Sequence, residues 1–415
     1  MDTSQPVEIP KQSVLDAWRL VKANQGAAGV DGQSIARFEA DLKNNLYKIW
    51  NRMSSGSYFP PPVQAVEIPK KAGGVRILGV PTVADRVAQM VVKQVREPLG
   101  EPVFHQDSYG YRSGRSAAQA LDVTRKRCWQ YDWVLEFDIK GLLDNIDHDL
   151  LMRAVRWHTD NPWVRLYIAR WRTAPFQRQD NTLVVREKGT PQGGVVSPVL
   201  AHLFLHYAFD RWMARTHPSE PFARYADDAV VHCRSAAEAE RLKAALQDRF
   251  AEVGLELHPT KTRIVYCRDS NRTGSYPHTR VDFLGYTFQP RLAQSKDGRS
   301  FVSFAPAVSR KAQTALRQKL QAMHLVRRTD LALEDLARLI NPIVRGWTQY
   351  FGQYHRSVMR KVLAHLNWLL VQWVRRKYKP MRQHQRRATH WLGRLARRQP
   401  GLFVHWQLGV LPAAE

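Results

Sequence analysis

Apolar and polar positions alternate along this chain with two periods, and the changes of period mark out its elements. Val14, Leu15, Trp18 and Val21 recur every three to four residues, which predicts an amphipathic helix over Ser13–Lys22. The helix runs into Asn24–Gly32, a loop punctuated by glycine. Val66–Leu78 predicts a β-hairpin turning at Gly73-Gly74, with basic residues on both arms. Pro81–Val95 reads as a helix, and Ser116 caps another over Ala117–Cys128. Trp133–Gly141 is an apolar strand that ends on Asp138. Helical spacing returns in Leu150–Trp157, Trp163–Arg172, Val199–Thr216 and Ala236–Val253. From Val308 onward only helices are predicted, over Val308–Arg327, Ala332–Tyr350 and Val358–Tyr378.

Between those helices lies Phe222–Cys233, in which Asp227-Asp228 separates an aromatic run from a β-branched one. This predicts two strands joined by a tight acidic turn. Taken alone, such a pair is most simply a solvated turn. The strand ending on Asp138 changes that reading. If both elements share one sheet, Asp138 faces Asp227 and Asp228, and three carboxylates form an all-oxygen site for hard cations. Two Mg²⁺ ions held in this way are the means of in-line phosphoryl displacement. Gly189–Pro198 supplies a glycine pair that permits close backbone approach to a ligand. The helix that follows it predicts free N–H groups beside that loop. Lys261 sits on a loop near the sheet, either protonating a pyrophosphate leaving group or simply contacting phosphate.

Charge narrows the partners. The 415 residues carry a formal net charge of +26, which points to a polyanion. Lys and Arg number fifteen between Ala337 and Ala414, with no Asp or Glu among them. Such a stretch repels itself unless a polyanion is present. The longest apolar run, Leu363–Val374, includes His365, Asn367 and Gln372 and is too short to span a bilayer. No membrane partner is therefore expected. The N-terminal ten residues hold Asp2 and Glu8 and no apolar run, so a secretory signal is not predicted and a cytoplasmic, nucleoid-associated protein is expected. Cys128, Cys233 and Cys267 form no Cys-x-x-Cys pair and are read as reduced, buried thiols.

In order, the motifs are Phe137-Asp138-Ile139-Lys140-Gly141 with Asp144–His148, Gly189–Pro198, Tyr225-Ala226-Asp227-Asp228, Gly254–Pro259 with Lys261-Thr262, and Phe283-Leu284-Gly285-Tyr286. Together they resemble the group II intron-encoded reverse transcriptases and maturases, over nearly the whole chain from about Ser13. The resemblance implies an α+β right-hand polymerase: N-terminal extension and fingers over 1–128, a palm with an antiparallel sheet over 129–291, a helical thumb and maturase domain over 308–380, and a short basic DNA-binding tail over 381–415. It implies an RNA-directed DNA polymerase that binds its own intron RNA, assists its splicing and copies it into DNA at target sites. The implied partners are intron RNA, an RNA template, DNA primer and target DNA, and dNTPs.

Residue by residue, the resemblance assigns catalysis to Asp138, Asp227 and Asp228, with Ile139 joining them as a ligand of two Mg²⁺ ions. It places nucleotide contacts at Lys70, Arg76, Leu143, Gln192, Gly193 and Lys261. Nucleic-acid contacts fall at Arg112, Arg115, Arg345, Arg375, Arg376, Lys377, Lys379, Arg386 and Arg387. The chain departs from the pattern at Leu142-Leu143, where relatives carry Phe-Phe. The second of those rings walls off a 2′-hydroxyl, so either a softer sugar gate is expected here or a neighbouring side chain fills the gap and Leu143 packs equally well. With no Cys after Cys267, a metal-dependent endonuclease is not expected. Two rivals share these motifs: an RNA-binding maturase with a vestigial polymerase site, against which the intact carboxylates argue, and a reverse transcriptase recruited to a retron, a diversity-generating element or a CRISPR locus, disfavoured by Asn341–Trp347 and the basic tail.

Overall fold

A computed structural model describes residues 9–69, 73–295 and 297–412. By packing, the chain forms two units. One takes the chain up to Ala120 together with Leu135–Arg263; the other takes Leu121–Val134 with the chain from Ile264 on.

In the first unit, Val63–Pro69 and Val75–Val80 form the predicted hairpin, antiparallel with Ile68 opposite Arg76. Its first strand also pairs in parallel with Phe176–Gln177, which pairs with Leu183–Val184, so the hairpin belongs to a four-stranded sheet. The helix predicted to end at Val95 runs over Val83–Gly100 and starts where the Thr82 side chain accepts the Asp85 N–H. Asp85 is fully buried and accepts from Tyr58 Oη at 2.9 Å, Trp171 Nε1 at 2.7 Å and Gln89 Nε2 at 2.9 Å. Burial holds its carboxyl above the usual range against those three hydrogen bonds. This network ties three segments to one carboxylate, and its loss would leave several buried polar groups unmatched.

A second sheet places Phe222–Tyr225, Asp228–Cys233 and Trp133–Phe137 in that order. The helix predicted over Val199–Thr216 starts at Ser197 and is interrupted at His206–Asp210 by a π turn before continuing as Arg211–Thr216. Ala236–Glu252 opens with a capping box made by Ser235 and Glu238.

The second unit holds a long hairpin, Tyr286–Gln294 with Ser300–Val308, in place of the helix start expected at Val308. Helices follow over Arg310–Ala322, Leu333–Phe351, Arg356–Lys377 and Gln385–Arg398. Leu336, Ile340, Val344, Val362, Leu366 and Leu370 line their shared core. Ala388, Leu392 and Ala396, spaced four apart, join that core, as do Phe403 and Trp406. The basic C-terminal stretch is therefore folded onto the helices before it. Asn341 fixes the closure: its amide donates to the Leu402 carbonyl at 2.8 Å and accepts the Val404 N–H at 3.0 Å. Asn367 does the same deeper down, accepting from His405 Nε2 at 2.7 Å and Trp406 Nε1 at 2.9 Å. All three cysteines are buried, and none is in a disulfide. Among the described residues no helix is long and apolar enough to cross a membrane.

Candidate active site

The acidic turn is the tip of a hairpin. Phe222–Tyr225 and Asp228–Cys233 pair antiparallel with Tyr225 opposite Asp228, leaving Ala226 and Asp227 to reverse the chain. Ala226 takes a left-handed φ of 58°, uncommon for a residue with a Cβ. Its carbonyl accepts from Arg224 Nη1 at 3.0 Å, which fixes the peptide that carries the strain. A second segment braces the turn from one side. The Arg224 N–H donates to the Asp107 carbonyl at 3.0 Å and the Tyr109 N–H to the Arg224 carbonyl at 2.8 Å. Gly110 then passes so close that a Cβ would collide with the Ala226 nitrogen. The strands below are buried through Ala223, Val230 and Val231, whereas Asp227 and Asp228 stand exposed at the tip.

Asp138 follows the last residue of Trp133–Phe137, the strand beside the one that opens on Asp228. Its carbonyl accepts the His258 N–H at 2.8 Å, and the Lys140 N–H donates to the Glu256 carbonyl at 2.9 Å. That local pairing brings Lys261 back so that its ammonium forms an ion pair with the Asp138 carboxylate. The Asp227 carboxyl is held above its ordinary range, first by desolvation within the cleft and then by the charge of Asp138, with Lys261 and Arg76 pulling the other way. The charge of Asp138 thus reaches Asp227.

The glycine loop joins the Val63–Val80 hairpin to the residues after Asp138. The Gly79 N–H donates to the Gln192 carbonyl at 2.7 Å, and a Cβ on Gly193, whose φ is 118°, would strike the Gly79 carbonyl oxygen. On the other side the Thr190 N–H donates to the Leu143 carbonyl and the Gly189 N–H to the Ile146 carbonyl, both at 2.7 Å. The Gln192 side chain bridges the two sides: Arg76 Nε donates to its oxygen, and its Nε2 donates to Asp144 Oδ2 at 2.8 Å. Arg76, Gln192 and Leu143, expected to share a nucleotide pocket, are therefore connected through this one loop. Leu142 is buried and Leu143 half-buried. The N–H groups expected to be free at the following helix are fewer than predicted, because those of Val195 and Val196 donate to Gln89 Oε1 at 2.7 and 3.2 Å. Lys70 lies outside the described residues.

Arg112 corrects an expectation. It is buried, and its guanidinium donates to both Glu101 oxygens, the Glu101 carbonyl, and the carbonyls of His105 and Ser108 at 2.7 Å each. With all five N–H groups matched, Arg112 shapes the loop that braces the acidic turn and presents no donor to a phosphate. Arg115 is half-buried and lies 5.9 Å from the Tyr109 ring centroid. In the second unit Arg345, Arg376, Lys379, Arg386 and Arg387 are exposed. Arg375 donates to Gln372 and to the Arg382 carbonyl, and Lys377 donates to the Leu331 carbonyl.

Sequence reasoning missed Arg224, Asp210 and Gln89, which hold the turn and the glycine loop. Each is a polar residue inside an apolar run, and that is the only signal the sequence offers for them. Among the described residues no three His, Cys, Asp or Glu side chains converge as a ready metal set. The donor chemistry still fits a hard cation: adjacent strands bring Asp138 and the Asp227-Asp228 turn to one end of the sheet, and an ammonium covers Asp138.

Comparison with known proteins agrees with this geometry. Residues 68–288 match the family described as reverse transcriptase (RNA-dependent DNA polymerase), and residues 313–391 match the group II intron maturase-specific domain. The chain is 30% identical over 294 residues to Protein YkfC of Escherichia coli, covering 61% of this chain and 77% of that protein. It is 32% identical over 193 residues to the group II intron-encoded protein LtrA of Lactococcus lactis, covering 46% and 32%. It is 24% identical over 412 residues to an uncharacterized 91 kDa protein in the cob intron of Schizosaccharomyces pombe, covering 82% and 49%. The chain thus spans about a third of LtrA and half of the fission yeast protein.

Proposed function

The chain belongs to the reverse transcriptase family of RNA-dependent DNA polymerases and carries a group II intron maturase-specific domain; on that premise we propose that it binds its own intron RNA, assists its splicing and copies it into DNA at target sites. The observation that carries the polymerase reading is the pairing of the strand that leads to Asp138 with the strand that opens on Asp228, with the Asp227 carboxyl raised first by desolvation and then by the charge of Asp138. Asp138, Asp227 and Asp228, with the Ile139 carbonyl, would hold two Mg²⁺ ions, which when bound lower the pKa of a primer 3′-hydroxyl and steady the leaving oxygen.

The protein's own groups do the rest. Lys261 exchanges its carboxylate partner for the phosphates of an incoming dNTP, beside Arg76. Gln192, held by Arg76 and Asp144, seats the base and sugar. Leu143 forms a short wall under the sugar. Exposed arginines on the helices of the second unit contact RNA and DNA phosphates. Asp227→Ala and Asp228→Ala test the assignment in primer extension on an RNA template: cDNA synthesis falls by orders of magnitude while intron RNA binding is kept. Extension at the wild-type rate would refute it.

A further inference from the structure

The first unit contains a cavity of about 810 Å³ between the helices His148–His158 and Ala236–Glu252 and the stretch Ser197–Thr216 with its π turn. None of its lining residues belongs to the acidic turn, the Asp138 segment or the glycine loop. Its walls offer four aromatic rings, Trp157, Phe204, Tyr207 and Trp212, and four guanidinium groups, Arg153, Arg211, Arg215 and Arg249, the last beside Glu252.

The π turn builds this wall. The Arg211 N–H reaches back to the His206 carbonyl, so the helix widens by one residue and turns Tyr207, Arg211, Trp212 and Arg215 toward one space. The backbone carbonyls of Tyr207 and Ala208 accept from Arg249 at 3.2 and 3.0 Å, and Arg249 is held in turn by Glu252 at 2.9 Å. Arg249 is thus structural. The Tyr207 ring is fixed by a hydrogen bond between its hydroxyl and His158 Nε2. The side chains of Arg153 and Arg215 are exposed and make no ion pair or hydrogen bond among the described residues. Trp157 is 78% exposed, so its indole presents an open π face at the mouth of a cationic cavity.

We propose that this cavity takes a single unpaired nucleotide of a bound RNA strand, its base stacked on Trp157 and Trp212 and its phosphate held by Arg153 and Arg215. This rests on the RNA-binding part of the reading above and adds a contact that neither the polymerase centre nor the helices of the second unit supply. An acidic protein segment would engage the guanidinium groups and leave the rings unused; a duplex would keep its bases inside the helix, away from them.

The test uses the full chain with a short single-stranded RNA carrying one thiouridine, cross-linked by long-wave light and mapped by mass spectrometry. The expected cross-links fall on Trp157, Tyr207 or Trp212. Trp157→Ala and the Arg153→Ala/Arg215→Ala pair each lower the yield about tenfold, whereas Trp157→Phe keeps it. Primer extension by all three variants stays at the wild-type level. Cross-links confined to other parts of the chain overturn the proposal, as does a Trp157→Phe variant as impaired as Trp157→Ala. If free thiouridine monophosphate labels the cavity and single-stranded RNA does not compete, a strand is not the ligand and the proposal falls. A wild-type protein that cross-links here but does not extend primers overturns the polymerase reading alone.

Discussion

Arg224 and Asp210 meet fork to fork beneath the acidic turn, with Nε to Oδ1 at 2.7 Å and Nη2 to Oδ2 at 2.5 Å, and neither is more than 1% exposed. The remaining donor of Arg224 holds the carbonyl of Ala226, so a buried ion pair sets the backbone of the turn that presents Asp227. Removing one partner of such a pair strands a charge. Arg224→Ala is therefore expected to cost about 3–5 kcal/mol, and Asp210→Ala a similar amount. Denaturant unfolding measures this directly, and a change below about 1 kcal/mol would place the pair among the energetically minor ones.

Asp227 gives a stability profile of the opposite sign to the usual carboxylate. Its folded pKa lies above its unfolded one, so ionisation opposes folding at neutral pH. The penalty is absent where both states are protonated and grows as pH rises through the folded pKa. Asp227→Asn should therefore raise the melting temperature of the metal-free protein at neutral pH, with the gain shrinking as pH falls toward the ordinary aspartate range. A thermal scan series across that range, run in chelator, decides it. A gain that instead grows on acidification contradicts the assignment.

Gly193 tests the dock between the Val63–Val80 hairpin and the glycine loop. Gly193→Ala puts a Cβ against the Gly79 carbonyl in a backbone conformation that alanine resists. The loop must move, and with it Gln192. Displacement of about 1 Å at a positioning residue is worth on the order of 100-fold in rate. Primer extension should fall by that order while the fold persists in circular dichroism.

With Leu143 as the proposed wall under the sugar in place of a ring, the wild-type protein should incorporate ribonucleotides measurably. Leu143→Phe should improve selection for deoxyribonucleotides by about one order of magnitude. The incorporation efficiencies of a matched dNTP and rNTP pair on one template report the ratio. An unchanged ratio with retained activity would move the gate elsewhere in the pocket.

For the second unit, intron RNA affinity should fall steeply with salt, each neutralised phosphate adding a log–log slope of roughly −0.7 to −0.9. Deleting the chain from Met381 is a poor probe of this, because Leu392, Phe403 and Trp406 would leave the core with it. Arg386 and Arg387 are exposed and can be changed without touching that core. Arg386→Ala/Arg387→Ala should reduce the salt slope by about one unit per arginine that meets a phosphate.

The sequence marks the acidic hairpin and the strand before Asp138 well because their signals are local. Acidic residues end apolar strands, and a glycine pair precedes a helix; few other arrangements produce those patterns. The helix predicted over Ala117–Cys128 has those bounds in the structure. The hairpin Tyr286–Val308 escaped notice because Pro290 and Pro306 interrupt its two strands, each opposite a phenylalanine, Phe304 and Phe288. Proline inside a run argues against a strand. Arg112 was misread for a different reason: an arginine among tyrosines and glycines looks like a surface cation, and only the three-dimensional loop shows five acceptors converging on it. In the C-terminal stretch charge masked packing, since the inward face of Gln385–Arg398 is carried by Ala388, Leu392, Gly393 and Ala396, with Trp391 and Leu395 beside them.

That last helix has a thermodynamic consequence. One face of Gln385–Arg398 is a wall of the hydrophobic core and the other carries Arg386, Arg387, Arg394, Arg397 and Arg398 into solvent. Mutual repulsion among those cations pulls on the same segment that Ala388, Leu392 and Ala396 hold down. A polyanion that neutralises the outer face therefore also tightens the inner one, and ligand affinity and fold stability become one linked quantity. RNA at a hundred times its dissociation constant would add about 2.7 kcal/mol to the unit's stability. The free protein, by the same coupling, should lose this helix first on warming in low salt, and regain it on addition of nucleic acid too short to serve as a template.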